Sequence, residues 1–187
     1  MRQARKHCVG TALLVICLLA LPRVSMAEVY TEFAVIGGGE TMASTIVDEL
    51  YLAGGLRFAA GVQHAIGGSD RNELLFTLGY LWDDLSASNG RAEFDVVVLD
   101  FVYQRRNGPH RFGYGGSYHV SPEYSDKVDG FAPFRLDFDD ALGFTGRYSY
   151  TFNNVFMVGG VLNIMDYEAN GESFDAHSLG IFIASYF

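Results

Sequence analysis

The stretch YLAGGLRFAAGVQH, residues 51–64, alternates between two kinds of side chain. One side is apolar and consists of Leu52, Leu56, Phe58, Ala60 and Val62. The other side is small or polar and consists of Gly55, Arg57, Ala59, Gly61 and Gln63. A period of two residues indicates a β-strand whose two sides meet different surroundings.

The same alternation recurs along the chain and predicts eight strands in total. The other seven are centred on residues 29–35, 74–82, 97–103, 112–120, 142–150, 156–164 and 179–187. Their second sides hold glycines and isolated charges. A solvated sheet face would carry denser charge and few glycines, so this pattern favours the interior of a narrow barrel. The predicted fold is all-β, a single eight-stranded antiparallel up-and-down transmembrane barrel.

The connections between these strands alternate in length. Long ones cover about residues 38–49, 83–95, 122–140 and 166–175, and short ones lie at 67–70, 107–110 and 152–154. Long loops at one end and tight turns at the other are typical of outer-membrane barrels, whose turns face the periplasm. An even number of strands predicts that both termini are periplasmic.

Residues 1–27 have the pattern of a cleaved secretory signal peptide. Arg2, Arg5 and Lys6 precede a short apolar run over residues 9–21, and Ser25 and Ala27 supply small residues at the cleavage site. The run is shorter than the roughly 20 residues that a membrane-spanning helix needs. The prediction is therefore a signal peptide over 1–27 and a barrel domain over 28–187, located in the outer membrane of a Gram-negative cell.

The charge of the chain is strongly negative for a sequence that is 49% hydrophobic and 14% aromatic. Without residues 1–27 the chain keeps 9 basic and 22 acidic residues, a net charge of −13. Assigning these charges to the predicted segments, with Glu73 and Arg111 counted at the periplasmic end, places −14 on the outer loops, +1 on the periplasmic turns and 0 in the lumen. So acidic a surface argues against nucleic acid as a partner and favours cations or a basic extracellular partner.

The last residues, LGIFIASYF at 179–187, alternate and end on Phe187. This ending resembles the signal that outer-membrane barrels present to their insertion machinery, except that Ser185 stands where an aromatic or apolar residue is usual. Together with the signal peptide and the strand count, it makes the chain similar to the small barrels of the OmpA-transmembrane, OmpX and OmpW kind. The resemblance implies an architecture that many different functions share.

The predicted inward side carries several charges and amides that can form one polar network across the lumen. These residues are Glu32, Arg57, Asp100, Arg111, Arg147 and Asn163, with Gln63 beside them. Buried charges are costly unless they are paired. The network therefore indicates a static polar plug, and a narrow gated channel is the alternative.

A second alternative is an enzyme. His119 and Ser121, two residues apart, are predicted to point the same way near the outer end of a strand, and Glu123 could orient the histidine. This group resembles the His-x-Ser-Asn motif of the lipid A deacylase barrels, but Pro122 replaces the asparagine. The resemblance implies a lipid A-modifying activity, in which the three residues would be catalytic.

Divalent cations are the remaining ligands that the sequence suggests. Asp137, Asp139 and Asp140 form the densest acidic group and are candidate ligands for Ca²⁺ or Mg²⁺ bridging to lipopolysaccharide. The histidines show no ligand spacing, so no transition-metal site and no cofactor are expected. The predicted function is a structural or surface-interaction role in the outer membrane.

Overall fold

The computed structural model describes residues 27–44, 49–67, 71–153 and 155–187, and these residues form strands and turns with no helix. The predicted signal peptide, apart from Ala27, lies outside the described residues. The strands are β1 (Glu28–Gly38), β2 (Thr41–Ser44), β3 (Glu49–Tyr51), β4 (Gly55–Ala65), β5 (Asn72–Ala87), β6 (Gly90–Asn107), β7 (His110–Val128), β8 (Phe134–Asp137), β9 (Ala141–Phe152), β10 (Phe156–Ile164), β11 (Asp166–Ala169), β12 (Glu172–Asp175) and β13 (Ser178–Tyr186).

Eight of these strands close into a barrel, as the alternation predicted. Their order is β1, β4, β5, β6, β7, β9, β10 and β13, and β13 pairs back onto β1. Every neighbouring pair is antiparallel. Phe187 completes the seam, because its N–H donates to Val29 O at 2.9 Å and its carbonyl accepts from Val29 N at 3.1 Å. The barrel strands therefore leave no unpaired edge.

The residue that departs from the terminal barrel signal lies on this seam. Ser185 is directly opposite Thr31 in the β1–β13 register. Their hydroxyl oxygens lie 3.1 Å apart, within hydrogen-bond distance. A serine at this position therefore has a polar partner on the neighbouring strand.

The apolar sides of the strands face outward. The central band consists of exposed aliphatic and phenylalanine side chains such as Phe33, Val35, Leu78, Phe101 and Ile181. Tyr80, Trp82 and Tyr118 lie toward one end of it, and Tyr103, Tyr114, Tyr148 and Tyr150 toward the other. Leu52 is an exception, since it was predicted to face outward and is fully buried between β3 and β4. No helix in the described residues is long and apolar enough to cross a membrane.

The prediction of long loops was wrong in detail, because most of these segments continue the barrel as β structure. β5 and β6 run on through residues 83–95 and meet at the two-residue turn Ser88 and Asn89. β7 extends to Val128 and pairs with β8, while β2–β3 and β11–β12 form separate hairpins. We call this end of the barrel the hairpin end and the opposite one the turn end.

Close approach of β6 and β7 requires glycine at one position and tolerates a side chain at the next. A Cβ added to Gly115 would overlap the Phe101 carbonyl oxygen and lie 2.9 Å from Val102 Cα, whereas one added to Gly116 would have 3.8 Å to its nearest neighbour. The substitution G115A should therefore force the two strands apart and cost about 1–3 kcal/mol.

We expect G115A to lower the temperature at which the folded barrel unfolds, measured by the change in gel mobility between unheated and boiled samples. G116A is the matched control and should unfold at the wild-type temperature. Equal unfolding temperatures for the two variants would contradict the tight β6–β7 contact.

Candidate functional site

Four charged side chains meet in the middle of the lumen. Glu32 on β1, Arg57 on β4, Asp100 on β6 and Arg147 on β9 are each at most 6% exposed. Arg57 donates to Asp100, and Arg147 donates to Glu32. The two remaining cross pairs, Arg57 Nε with Glu32 Oε1 and Arg147 Nη1 with Asp100 Oδ2, are separated by 4.0 Å and 3.9 Å. We call these four residues the central charge layer, and its formal charge is zero.

Neutral side chains hold this layer in place. The Ser117 hydroxyl donates to Asp100 Oδ1 at 2.7 Å, and the Thr77 hydroxyl donates to Asp100 Oδ2 at 3.1 Å. Arg147 Nη2 also donates to the Tyr30 hydroxyl oxygen at 2.9 Å. Six barrel strands, β1, β4, β5, β6, β7 and β9, therefore contribute to the layer or to its support. Moving one side chain disturbs hydrogen bonds on several of them.

Arg111 was predicted to belong to this network, but it forms a separate pair nearer the turn end. Its Nε lies 3.1 Å from Glu73 Oε2, and its Nη1 donates to the Thr151 hydroxyl. Glu73 is among the charges that the sequence places at the periplasmic end, but its side chain is only 5% exposed. Arg111 lies six residues before Ser117 on β7, which places it away from the central charge layer and nearer the turn end.

The lumen also contains large side chains that the alternation did not predict. Phe182 lies 4.4 Å below the Arg147 guanidinium and Tyr186 lies 4.8 Å from that of Arg111, both measured to the ring centroid. Tyr30 and Met157 are buried beside them. Their inward phase is visible in the sequence, since Phe182 and Tyr186 alternate with Ile181 and Ile183, but apolar residues on both sides of a strand obscure the pattern.

The two predicted amides lie apart from the central charge layer. Asn163 on β10 donates through Nδ2 to the Ser178 hydroxyl at 3.3 Å, near the hairpin end. Gln63 on β4 is buried, at 4% exposure. The polar lumen residues therefore form several groups along the barrel axis and not one connected network.

His119 lies inside the lumen, where a tyrosine from the hairpin end covers it. The side chain is 1% exposed, and Nδ1 lies 2.5 Å from the Tyr167 hydroxyl oxygen. Tyr167 is fully buried on β11 and packs against Phe94 and Phe138, with centroid separations of 6.1 Å and 5.5 Å. Burial raises the pKa of the Tyr167 hydroxyl, so this group stays protonated at neutral pH. We call Phe94, His119, Phe138 and Tyr167 the aromatic cap.

The predicted pairing of His119 with Ser121 was wrong, because a bulge separates them. Ser121 has a φ of +49°, and the β6–β7 register shifts between Asp95 and Val97 at this point. An extra residue reverses the phase of the strand, so Ser121 is exposed while His119 is buried. The Ser121 backbone N–H donates to Asp140 Oδ1 at 2.8 Å, which holds the bulge. Glu123 pairs with Arg135 at 2.6 Å and so has a different partner from the one predicted.

The predicted cation ligands Asp137, Asp139 and Asp140 do not converge on one point. Asp137 Oδ1 accepts from Arg135 Nε at 2.9 Å. Asp140 accepts from the Tyr118 hydroxyl at 2.8 Å in addition to the Ser121 amide. Asp139 is exposed and donates its backbone N–H to Glu168 O at 2.8 Å. Two of the three carboxylates therefore serve structural contacts.

Comparisons with known proteins identify this architecture. The structure is similar to Ail, the attachment invasion locus protein of Yersinia pestis, solved in complex with the heparin analogue sucrose octasulfate. The TM-score is 0.55 at 5% identity, covering 86% of this chain and 97% of Ail. It is also similar to Neisserial surface protein A, with a TM-score of 0.51 at 13% identity, covering 87% of this chain and 96% of that one.

This chain has the fold of a small outer-membrane β-barrel. The likeness covers nearly the whole of both solved proteins, and at these identities it concerns the fold alone. No protein-family model and no curated protein matches the sequence.

The central charge layer makes Asp100 a sensitive position. D100N leaves Arg57 and Arg147 facing Glu32 alone, so the lumen gains an uncompensated buried positive charge, which costs about 3–5 kcal/mol. We expect this loss in the free energy of unfolding in urea, measured with the protein in detergent micelles.

Two further variants make the measurement specific. E93Q removes the ion pair between Glu93 and Arg91, whose two side chains are exposed by 44% and 59% respectively. It should lower the free energy of unfolding by only about 0–1 kcal/mol. The double variant D100N/R57Q restores a neutral layer and should be more stable than D100N. A D100N protein as stable as E93Q would show that the layer does not stabilise the barrel.

Proposed function

We propose that this protein is an integral outer-membrane barrel with a closed lumen and an acidic surface that binds cationic partners. The outward band of apolar side chains between two groups of aromatic residues supports the membrane location. β1 and β4 have 11 residues and β10 and β13 have 9, which matches the length of about 9–11 residues that a tilted strand needs to cross a bilayer. In this orientation the turn end and both termini are periplasmic, and residues 1–27 are the signal peptide.

The packing of the aromatic cap and of the charged side chains below it carries the proposal of a closed lumen. The aromatic cap lies over the mouth of the barrel, and the central charge layer and the Arg111–Glu73 pair fill the lumen below it. An eight-stranded barrel is just wide enough for its own side chains. A continuous water path would require at least two of these groups to separate, which argues for a structural plug and against a gated channel.

The surface proposal rests on the charge of the hairpin end. The outer segments carry 17 acidic residues and only Arg91, Lys127 and Arg135 as basic ones, a net −14. Moving Glu73 and Arg111 from the turn end into the lumen changes no sum, since they form a pair. A field of this sign attracts cations and basic proteins and repels unbridged phosphate or sulfate groups. Contact with lipopolysaccharide would therefore depend on divalent cations.

The positions of His119, Ser121 and Glu123 argue against the deacylase alternative. A nucleophilic serine needs its histidine within hydrogen-bond reach, yet His119 is buried and bonded to Tyr167 while Ser121 is exposed beyond the bulge. Glu123 is held by Arg135. We therefore propose no catalytic role for these three residues.

A closed lumen predicts that the protein does not conduct ions. We expect no discrete current steps when the refolded barrel is reconstituted in planar bilayers, with insertion verified by the heat-dependent mobility of the same sample. Y167A removes the centre of the aromatic cap but leaves the central charge layer, so it should also be silent. Discrete steps in the wild-type protein would favour the channel alternative.

The acidic hairpin end predicts that cells expressing the protein bind positively charged partners. We expect such cells to bind a fluorescent polylysine more strongly than cells without the protein, and to bind heparin no better. Ail was solved with a heparin analogue, so heparin also tests whether the two proteins differ in ligand. Replacing Glu168 and Glu172 by glutamine, away from the lumen, should weaken polylysine binding. Preferential heparin binding would contradict the proposal.

A further inference from the structure

Three metal-ligating side chains meet at the base of the β11–β12 hairpin, outside the lumen. Asp166 begins β11, Asp175 ends β12 and His177 lies just before β13. One donor atom from each side chain lies within 4.8 Å of the other two. His177 Nδ1 is 2.7 Å from Asp175 Oδ1 and 3.7 Å from Asp166 Oδ1. The three side chains are 47–64% exposed, so a cation can reach them from solvent.

The register of the hairpin places the two carboxylates in direct opposition. Asp166 and Asp175 are cross-strand partners in the β11–β12 pairing. Like charges directly opposite each other destabilise a sheet unless something neutralises them. The hairpin therefore has an unfavourable element at its base that a bound cation would remove.

Other acidic groups at the hairpin end are neutralised differently. Glu93 pairs with Arg91, and Glu123 and Asp137 both pair with Arg135. Among the described residues, the basic side chain in contact with Asp166 and Asp175 is His177 alone. Imidazole is also a good metal ligand. Two carboxylates served by an imidazole, where an arginine serves the others, have the composition of a metal site.

Backbone hydrogen bonds hold the ligands in place before any ion binds. The His177 N–H donates to Asp175 Oδ1 at 2.7 Å, which fixes one carboxylate against the histidine. The Asp175 carbonyl accepts from Glu40 N at 2.7 Å, and Ala176 N donates to Met165 O at 3.2 Å. Ligation at about 2.0–2.2 Å from one ion would require the three exposed side chains to rotate toward a common point.

We propose that Asp166, Asp175 and His177 form a binding site for a transition-metal dication of the zinc type. One imidazole nitrogen and two carboxylate oxygens are ligands that Zn²⁺ accepts, with water or a partner's side chain in the open position. Ca²⁺ is a poorer fit, because it prefers six to eight oxygen ligands and no nitrogen. The sequence analysis missed this site because Asp166 and the pair Asp175 and His177 are brought together only by the hairpin.

A bound ion would stabilise the β11–β12 hairpin, which carries Tyr167 of the aromatic cap. The ion would join the first residue of β11 to the last residue of β12, and Tyr167 of the aromatic cap is the residue next to Asp166. Binding to the folded hairpin and not to the unfolded chain stabilises the folded form. Zn²⁺ should therefore raise the temperature at which the barrel unfolds.

The test uses the full barrel refolded in detergent micelles and titrated with ZnCl₂ in a calorimeter. We expect one saturable site per chain in the wild-type protein and an affinity at least about tenfold weaker in H177Q and in D175N. H110Q and D137N are the matched controls, since they remove a histidine and an acid elsewhere, and they should bind like wild type. The heat-dependent mobility of each variant shows whether it has folded.

Each alternative outcome counts against the proposal. Equal binding in wild type and folded H177Q would mean that Zn²⁺ attaches to the acidic surface in general. No binding in the wild-type protein would mean that His177 serves only as an ion-pair partner. Ca²⁺ binding at this site as tightly as Zn²⁺ would contradict a site that prefers a zinc-type ion. None of these results depends on the lumen being closed or on the surface partner.

Discussion

The closure of the sheet on itself is the constraint on which the rest of this structure depends. In a bilayer every backbone N–H and C=O needs a partner within the protein, so a strand edge facing lipid is excluded. The pairing of β13 with β1, completed by Phe187 and Val29, removes that edge. Closing eight strands also fixes a narrow interior, and this interior must be filled by the side chains that point into it.

The contents of the lumen follow from that narrowness. Glycines leave room for long side chains, and the arginines at positions 57, 111 and 147 occupy this room together with acidic partners from other strands. Each arginine has a hydrogen-bonded carboxylate, because an unpaired charge in such a place is very costly. Phe182 and Tyr186 pack against two of the guanidinium groups and fill the space that remains.

At the hairpin end the barrel strands meet different surroundings. β5, β6 and β7 extend as strands beyond the apolar band, and the bulge at Ser121 reverses which side of β7 faces inward. Beyond this bulge Tyr124 is buried and Glu123 is turned toward Arg135. Because of this single extra residue, His119 faces the lumen whereas Ser121 faces outward.

The alternation of apolar and small residues by itself determined the all-β class, the eight strands, the side of each strand that faces outward and the buried positions of Glu32, Arg57, Asp100 and Arg147. It could do so because each of these properties depends on a period of two residues within one strand. Contacts between strands are decided by register, bulges and hairpin folding, which join residues far apart in the chain. Only the tertiary structure therefore paired Arg111 with Glu73, placed Tyr167 over His119 and brought Asp166 to His177.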